Sequence, residues 1–122
     1  MPLYTIAMEA GSLEAAGRQE LAQSITDLHV EMSGVPAGWV HVVFQEYRRG
    51  YGFTAGRPDA AVSLILLIRT GRTPDYKRQL LTRLWQLVQG ATGAADDQIV
   101  LAIQEGPASQ AMEMATIMPD VE

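Results

Sequence analysis

The chain has 122 residues, of which 48% are hydrophobic and 19% charged, proportions that suit one folded domain spanning residues 1–122. Its net charge of −5 gives no sign of nucleic-acid binding, and the absence of cysteine excludes disulfides and thiol catalysis. The only histidines, His29 and His41, form no cluster with the spacing of a metal site. Residues 60–68, the longest apolar stretch, are too short to cross a bilayer, and residues 1–20 lack a secretory pattern. We expect a cytoplasmic protein without metal or cofactor.

The first third of the chain predicts a strand, a helix and a second strand. Residues 3–8 form a short apolar run typical of a strand. Ser12 is a suitable helix N-cap, and Gly34 is a suitable stop. Between them an apolar stripe recurs at helical spacing, comprising Leu21, Ile25, Leu28 and Met32. Residues 39–44 are rich in β-formers and predict the second strand.

The same order returns in the second half. Residues 61–68 predict a buried strand, and Thr73-Pro74-Asp75 has the N-cap, proline and early acid of a helix start. The apolar stripe here consists of Leu80, Leu84 and Leu87. Gly90 and Gly93 are expected to stop the helix, and residues 99–103 predict the last strand.

The two halves align with one offset. Glu46 falls on Glu105, a difference of 59, and the same shift matches four further pairs: Ile6 with Ile65, Leu21 with Leu80, Leu28 with Leu87 and Gly34 with Gly93. The chain is therefore predicted to be an α+β protein with two β-α-β repeats, residues 2–46 and 61–105. A surface loop, residues 47–60, joins them, and residues 106–122 form a C-terminal arm.

Two such repeats can form one four-stranded mixed sheet with both helices on one face. If they pair about a pseudo-twofold axis, their first strands run antiparallel. The end of the third strand, near Arg69, then lies beside Pro2 at the start of the first. This juxtaposition is the main functional prediction from the residues alone.

Pro2 carries the most distinctive chemistry. Once Met1 is removed, for which the small residue at position 2 is suited, its nitrogen is a secondary amine. The pKa of a free α-amine is about 7.7–8.0, and apolar surroundings with nearby arginines would lower it, giving a general base near neutral pH. Arg69 and Arg72, just before a helix N-terminus, suit carboxylate binding. Solvated turn arginines are the alternative, but the first repeat has Ala10 and Leu13 at the matching positions, which favours a site. His29, at the edge of the apolar stripe, is either a structural histidine or a hydrogen-bond donor to substrate.

The Met-Pro start and several further motifs make the chain resemble the tautomerase superfamily, and more closely its cis-3-chloroacrylic acid dehalogenase group. The motifs are Ile25-Thr26-Asp27-Leu28-His29, Phe44-Gln45-Glu46, Arg69-Thr70-Gly71-Arg72 and Pro107-Ala108-Ser109-Gln110-Ala111-Met112-Glu113. The resemblance implies that Pro2 is the catalytic amine and that His29, Arg69 and Arg72 bind the substrate carboxylate. It also implies a tautomerase-like fold, a small carboxylate as the ligand and a homotrimer that needs no cofactor. From charge and hydropathy we expect no nucleic acid and no membrane as partners.

The resemblance further assigns Glu113 to water activation with the help of a tyrosine, whose place is taken here by Ala102. From the residues alone, Glu113 could equally bind product or be an exposed charge. The first functional hypothesis is a tautomerase acting on small 2-oxo or enol carboxylates. A cis-3-haloacrylate dehalogenase or hydratase is the alternative, which the loss of the tyrosine weakens. A non-catalytic trimeric binding or signalling protein is the third hypothesis. His41 is interpreted as structural.

Overall fold

A computed structural model describes residues 1–121 of the chain. The elements follow in the order β1 Leu3–Glu9, α1 Ala15–Ser33, β2 His41–Tyr47, β3 Phe53–Thr54, β4 Arg57–Pro58, β5 Val62–Arg69, α2 Pro74–Thr92, β6 Ile99–Gly106, β7 Met112–Glu113 and β8 Thr116–Ile117. Short 3-10 turns lie at Ala37–Trp39, Asp96–Gln98 and Ala108–Gln110.

The main sheet has four strands in the order β2-β1-β5-β6. β1 is parallel to β2 and β5 is parallel to β6, while the central pair, β1 and β5, is antiparallel with Leu3 opposite Leu67. Each parallel pair is connected through a helix, as parallel strands require. The predicted mixed sheet built from two β-α-β units is confirmed, and so is the antiparallel pairing of the first strands.

The hydrophobic core lies between the sheet and the two helices. Alternate residues of the central strands point into it, since side chains of a strand alternate between its faces. In β1 these are Tyr4, Ile6 and Met8, all fully buried. The helices contribute stripes at three- and four-residue spacing, namely Leu21, Ile25 and Leu28 from α1 and Leu80, Leu84 and Val88 from α2. Both helices therefore cover the same face of the sheet.

The sequence located most of the helix ends correctly. Gly34 and Gly93 follow α1 and α2 in the left-handed conformation, with φ of 76° and 69°. The Thr73 side chain accepts a hydrogen bond of 3.1 Å from the backbone N–H of Tyr76, which caps α2.

The start of α1 was predicted wrongly, and of the two glycines expected to stop α2 only Gly93 does so. α1 begins at Ala15 rather than just after Ser12, because the chain is still turning there, with Gly11 at φ 87° and the Ser12 N–H donating to the Glu9 carbonyl. α2 continues through Gly90 to Thr92. A glycine on a helix surface costs only about 1 kcal/mol relative to alanine, which the rest of the helix can supply.

The internal repeat is visible in the structure. A shift of 59 carries α1, Ala15–Ser33, onto α2, Pro74–Thr92, and the 3-10 turn Ala37–Trp39 onto Asp96–Gln98. The same shift carries one ion pair onto another. Arg18 lies 3.6 Å from Glu46, and Lys77 lies 2.8 Å from Glu105, so each helix is tied to the end of its following strand by a cation and a glutamate.

The single offset fails in the first strand of each unit. Tyr4 lies opposite Val42, and Leu64 lies opposite Leu101, so β1 and β5 correspond with a shift of 60. The predicted match of Ile6 with Ile65 is therefore wrong, since Ile6 is fully buried and Ile65 lies on the other face. The reason is loop length, because residues 10–14 connect β1 to α1 whereas the shorter segment 70–73 connects β5 to α2.

The segments outside the repeats form small hairpins. The predicted loop, residues 47–60, contains the pair β3 and β4, and the arm contains a 3-10 turn followed by the pair β7 and β8. Within residues 1–121 the structure contains no helix that could span a membrane.

Candidate active site

A small cavity lies at the end of the sheet where the chain begins. Its lining comprises Met1, His29, Val35, Ile68, Arg69, Arg72, Tyr76 and Val121. The free space is about 20 Å³, room for roughly one water molecule. The antiparallel register of β1 and β5 creates this neighbourhood by placing the chain start beside Arg69. Three of the predicted site residues, His29, Arg69 and Arg72, thus meet the residue bonded to Pro2.

The chain terminus is held from several sides. Pro2 is fully buried, and its carbonyl accepts a hydrogen bond of 3.1 Å from the His41 N–H. The Met1 amine forms an ion pair with Glu113, which brings this predicted residue to the same place. Burial, and then the positive charge of Arg69, lower the pKa of the Met1 amine from its ordinary value of 8.0. While Met1 is present, the Pro2 nitrogen is an amide and cannot act as a base.

The two arginines approach the cavity from neighbouring positions. Arg69 is the last residue of β5, is only 8% exposed, and donates from Nη1 to the Pro119 carbonyl at 2.6 Å. Arg72 lies in the turn before α2, with its guanidinium carbon 5.0 Å from the centre of the Tyr76 ring. Both positive charges stand just before the N-terminus of α2, where the helix dipole adds to their potential.

A larger cleft of about 420 Å³ adjoins the inner cavity. Its lining comprises Ser33, Gly34, Val35, Pro36, Trp39, Arg69, Arg72, Pro119 and Asp120. Arg69 and Arg72 line both spaces, so the cleft and the inner cavity adjoin at the two arginines. The cleft is large enough for a small carboxylic acid, whereas the inner cavity with Met1 in place is not.

His29 lies on α1 with its imidazole 4% exposed. Its Nδ1 is 2.6 Å from the Tyr4 hydroxyl, and the two rings meet edge to face at 5.6 Å and 87°. Burial lowers the pKa of His29 from 6.5 to about 4, and the charges of Arg72 and the chain terminus act in the same direction. The imidazole is therefore neutral at pH 7.

Sequence reasoning missed two tyrosines. Tyr4 stands in an apolar strand pattern and resembles one more core residue. The only signal for its role is the rule that a buried polar group needs a hydrogen-bond partner, which here is His29. Tyr76 lies in the first turn of α2, and its ring meets the guanidinium of Arg72 from the preceding turn, a contact that no sequence spacing predicted. Burial raises the pKa of Tyr76 and also that of Tyr4, and both hydroxyls keep their protons at neutral pH.

Ala102 lies outside this site. It is in β6 opposite Ile65, and it lines neither the inner cavity nor the cleft. Within residues 1–121 no group of three histidine, aspartate or glutamate side chains could hold a metal ion.

Comparison with known proteins identifies close structural relatives. The whole chain, residues 1–122, matches the family model described as "Putative oxalocrotonate tautomerase enzyme". Native Ps01740 is 37% identical over 91% of this chain and 99% of its own, with a TM-score of 0.87. N1, a member of the cis-3-chloroacrylic acid dehalogenase family, is 26% identical over 98% of this chain and 85% of its own, with a TM-score of 0.91. A fused 4-OT, a symmetric trimer, shares the fold with 21% identity over 95% and 94% of the two chains and a TM-score of 0.85. No curated protein sequence gives a significant match.

Proposed function

Because the chain belongs to the tautomerase superfamily, we propose that it is a cofactor-independent keto–enol tautomerase of small 2-oxo acids, with Pro2 as the base and acid. The observation that carries the proposal is the cavity that joins the chain start to His29 and two guanidinium groups. Removal of Met1 would both free the Pro2 amine and vacate part of this cavity.

The environment suits a neutral amine. The Met1 amine, one residue away, already has a lowered pKa because of burial and the charge of Arg69. Pro2 is more buried than Met1, and its nitrogen would meet the same two influences. A neutral secondary amine at pH 7 can accept a proton from an enol.

The remaining groups suit the substrate's oxygens. The guanidinium groups of Arg69 and Arg72 can bind a carboxylate in its plane, with support from the α2 dipole. The neutral imidazole of His29 can donate to the oxygen at carbon 2, where negative charge develops. Val35 and Ile68 give the cavity an apolar wall, and exclusion of water there would strengthen both interactions.

The proton balance closes with one group. The Pro2 nitrogen takes the proton from the enol hydroxyl, and the oxygen forms a carbonyl as the double-bond electrons move toward carbon 3. The same nitrogen then gives the proton to carbon 3. The product is the 2-oxo acid, and Pro2 ends as it began.

Three measurements test this proposal. Intact mass is expected to show that Met1 is absent, and ultraviolet absorbance should show accelerated ketonisation of a phenylpyruvate-type enol. Pro2→Ala should lower kcat/KM at least about tenfold, since general base catalysis contributes about 10²–10⁴ and the new primary amine is an imperfect substitute. Pro2→Leu, whose larger side chain should retain Met1, is expected to be inactive with the same fold. Full activity in both variants would refute Pro2 as the base.

Glu113 favours hydration or dehalogenation of a cis-3-haloacrylate as a second candidate, because its carboxylate already pairs with the terminal amine. In that reaction Pro2 must be protonated, so the rate should fall as pH rises through the amine's pKa, opposite to the tautomerase. Chloride release from cis-3-chloroacrylate tests it, with Glu113→Gln as the variant expected to abolish release. No chloride above the uncatalysed rate would reject this candidate. If neither reaction is accelerated, the non-catalytic binding hypothesis gains.

We also propose that the chain forms a homotrimer, as the family resemblance implies. The fused 4-OT of the same fold is a symmetric trimer. Large apolar side chains are exposed on the two edge strands, β2 and β6, and on the hairpins, namely Val43, Phe53, Val100, Met112, Met114 and Ile117. Light scattering should give three times 13.3 kDa, about 40 kDa, and a mass of one subunit would refute the trimer.

A further inference from the structure

We propose that Tyr4 is a positioning residue, which holds His29 in the tautomer with its proton on Nε2 and thereby makes the imidazole a hydrogen-bond donor to the substrate oxygen. This inference rests on the proposed function for its catalytic meaning. The structural part, the tautomer itself, stands independently of any reaction.

The hydrogen-bond inventory around Tyr4 decides the direction of the bond. The Tyr4 side chain is fully buried, and the Nδ1 atom of His29, at 2.6 Å, is the hydroxyl's only hydrogen-bond partner within residues 1–121. If Nδ1 carried the proton and donated, the Tyr4 O–H would have no acceptor, which a buried hydroxyl rarely tolerates. The hydroxyl must therefore donate to a bare Nδ1. A neutral imidazole with a bare Nδ1 carries its proton on Nε2.

The location of His29 gives this tautomer a use. The imidazole lines the cavity together with Arg69 and Arg72. With Nδ1 engaged by Tyr4, the nitrogen available to a ligand is Nε2, and it offers an N–H. A neutral donor suits a cavity that already holds two cations, since a protonated imidazole would add a third positive charge to the same site.

The second repeat shows that the fold does not require this polar pair. By strand register the counterpart of Tyr4 is Leu64, and by the helix shift the counterpart of His29 is Val88. Both are fully buried members of the same core. The architecture thus accepts a leucine and a valine at these positions, and the tyrosine and histidine pair occurs only in the first repeat, whose histidine lines the cavity.

The tautomer can be tested without any measurement of activity. With two histidines in the chain, long-range ¹H–¹⁵N correlation spectra give two imidazole patterns, and His29→Asn identifies which one belongs to His29. The expected pattern for His29 at pH 7 is a proton on Nε2 with a bare Nδ1. A proton on Nδ1 would overturn the proposal, whatever the activity of the protein.

Tyr4→Phe then tests the cause. It keeps the ring and removes only the hydroxyl, so the His29 signals should change to a mixture of tautomers, and kcat should fall about tenfold with KM changed less than twofold. Tyr47→Phe is the matched control. The Tyr47 hydroxyl donates a hydrogen bond of 2.7 Å to the Ala61 carbonyl, and this residue does not line the cavity. That control should leave the His29 spectrum and kcat unchanged. An unchanged His29 tautomer in Tyr4→Phe would overturn the positioning role of Tyr4, even if Pro2 is confirmed as the base. Inactivity of the wild type would refute only the proposed function.

Discussion

His29 should make the stability of the fold depend on pH in a direction that its burial determines. In the folded chain its pKa is about 4, against an ordinary value of 6.5. The unfolded chain therefore binds a proton more readily between these values, and acid favours unfolding. The contribution is fully present above pH 6.5 and is lost as pH falls toward 4.

The size of the effect follows from the two pKa values. Linkage gives a loss of about 2 kcal/mol in unfolding free energy between pH 7 and pH 5, and about 3 kcal/mol once the pH is below both values. The side chain is 4% exposed, so solvent screens little of this. Against a typical total stability of about 5–15 kcal/mol, such a loss is easily measured.

The assay is urea denaturation at pH 7 and pH 5, at one protein concentration because assembly changes apparent stability. His29→Asn places an amide oxygen where Nδ1 lies, so it can still accept from Tyr4 but does not titrate. This variant should lose about 2 kcal/mol less than the wild type between the two pH values. His41→Asn, at an exposed position, is the control and should keep the wild-type difference. If His29→Asn loses as much stability as the wild type, the neutral buried imidazole inferred here is wrong.

Three further predictions concern the site and its support. Arg72→Lys should raise KM for a 2-oxo acid about tenfold, because an ammonium cannot bind a carboxylate bidentately. KM for the methyl ester of the same acid should stay the same, and equal effects on acid and ester in steady-state kinetics would contradict carboxylate binding. The kcat/KM of the tautomerase should rise with pH through a midpoint below 8.0, the ordinary pKa of a terminal amine. Arg69→Gln should move that midpoint upward because it removes a positive charge near Pro2, and an unmoved midpoint would show that Arg69 does not act on the titrating group. Thr73→Ala should lower the unfolding free energy by about 1 kcal/mol through loss of the α2 cap, whereas Thr82→Ala, in the middle of the same helix, should change it by less than about 0.5 kcal/mol in the same urea titration.

Local chemistry made much of this protein readable from its sequence. Helix stops at Gly34 and Gly93 and the cap at Thr73 depend on a few adjacent residues, and the structure confirms all three. The duplicated pattern indicated two β-α-β units, and pairing of like units placed Arg69 beside the chain start. These inferences succeed because periodicity, capping and strand connection rules act over short distances.

Tertiary structure decided which side chains meet. The match of Ile6 with Ile65 failed because one extra residue in a loop reverses which strand face is buried, and no strand pattern records the length of a distant loop. Likewise Tyr4 and His29 are far apart in the chain and meet only because β1 lies under α1. His29 is neutral because side chains from several elements bury it, and Glu113 reaches the chain terminus only because the C-terminal arm folds back onto it. The sequence by itself determined the elements and their order, whereas the electrostatics of the site arose only from their packing, because a pKa depends on surroundings that the order of residues does not specify.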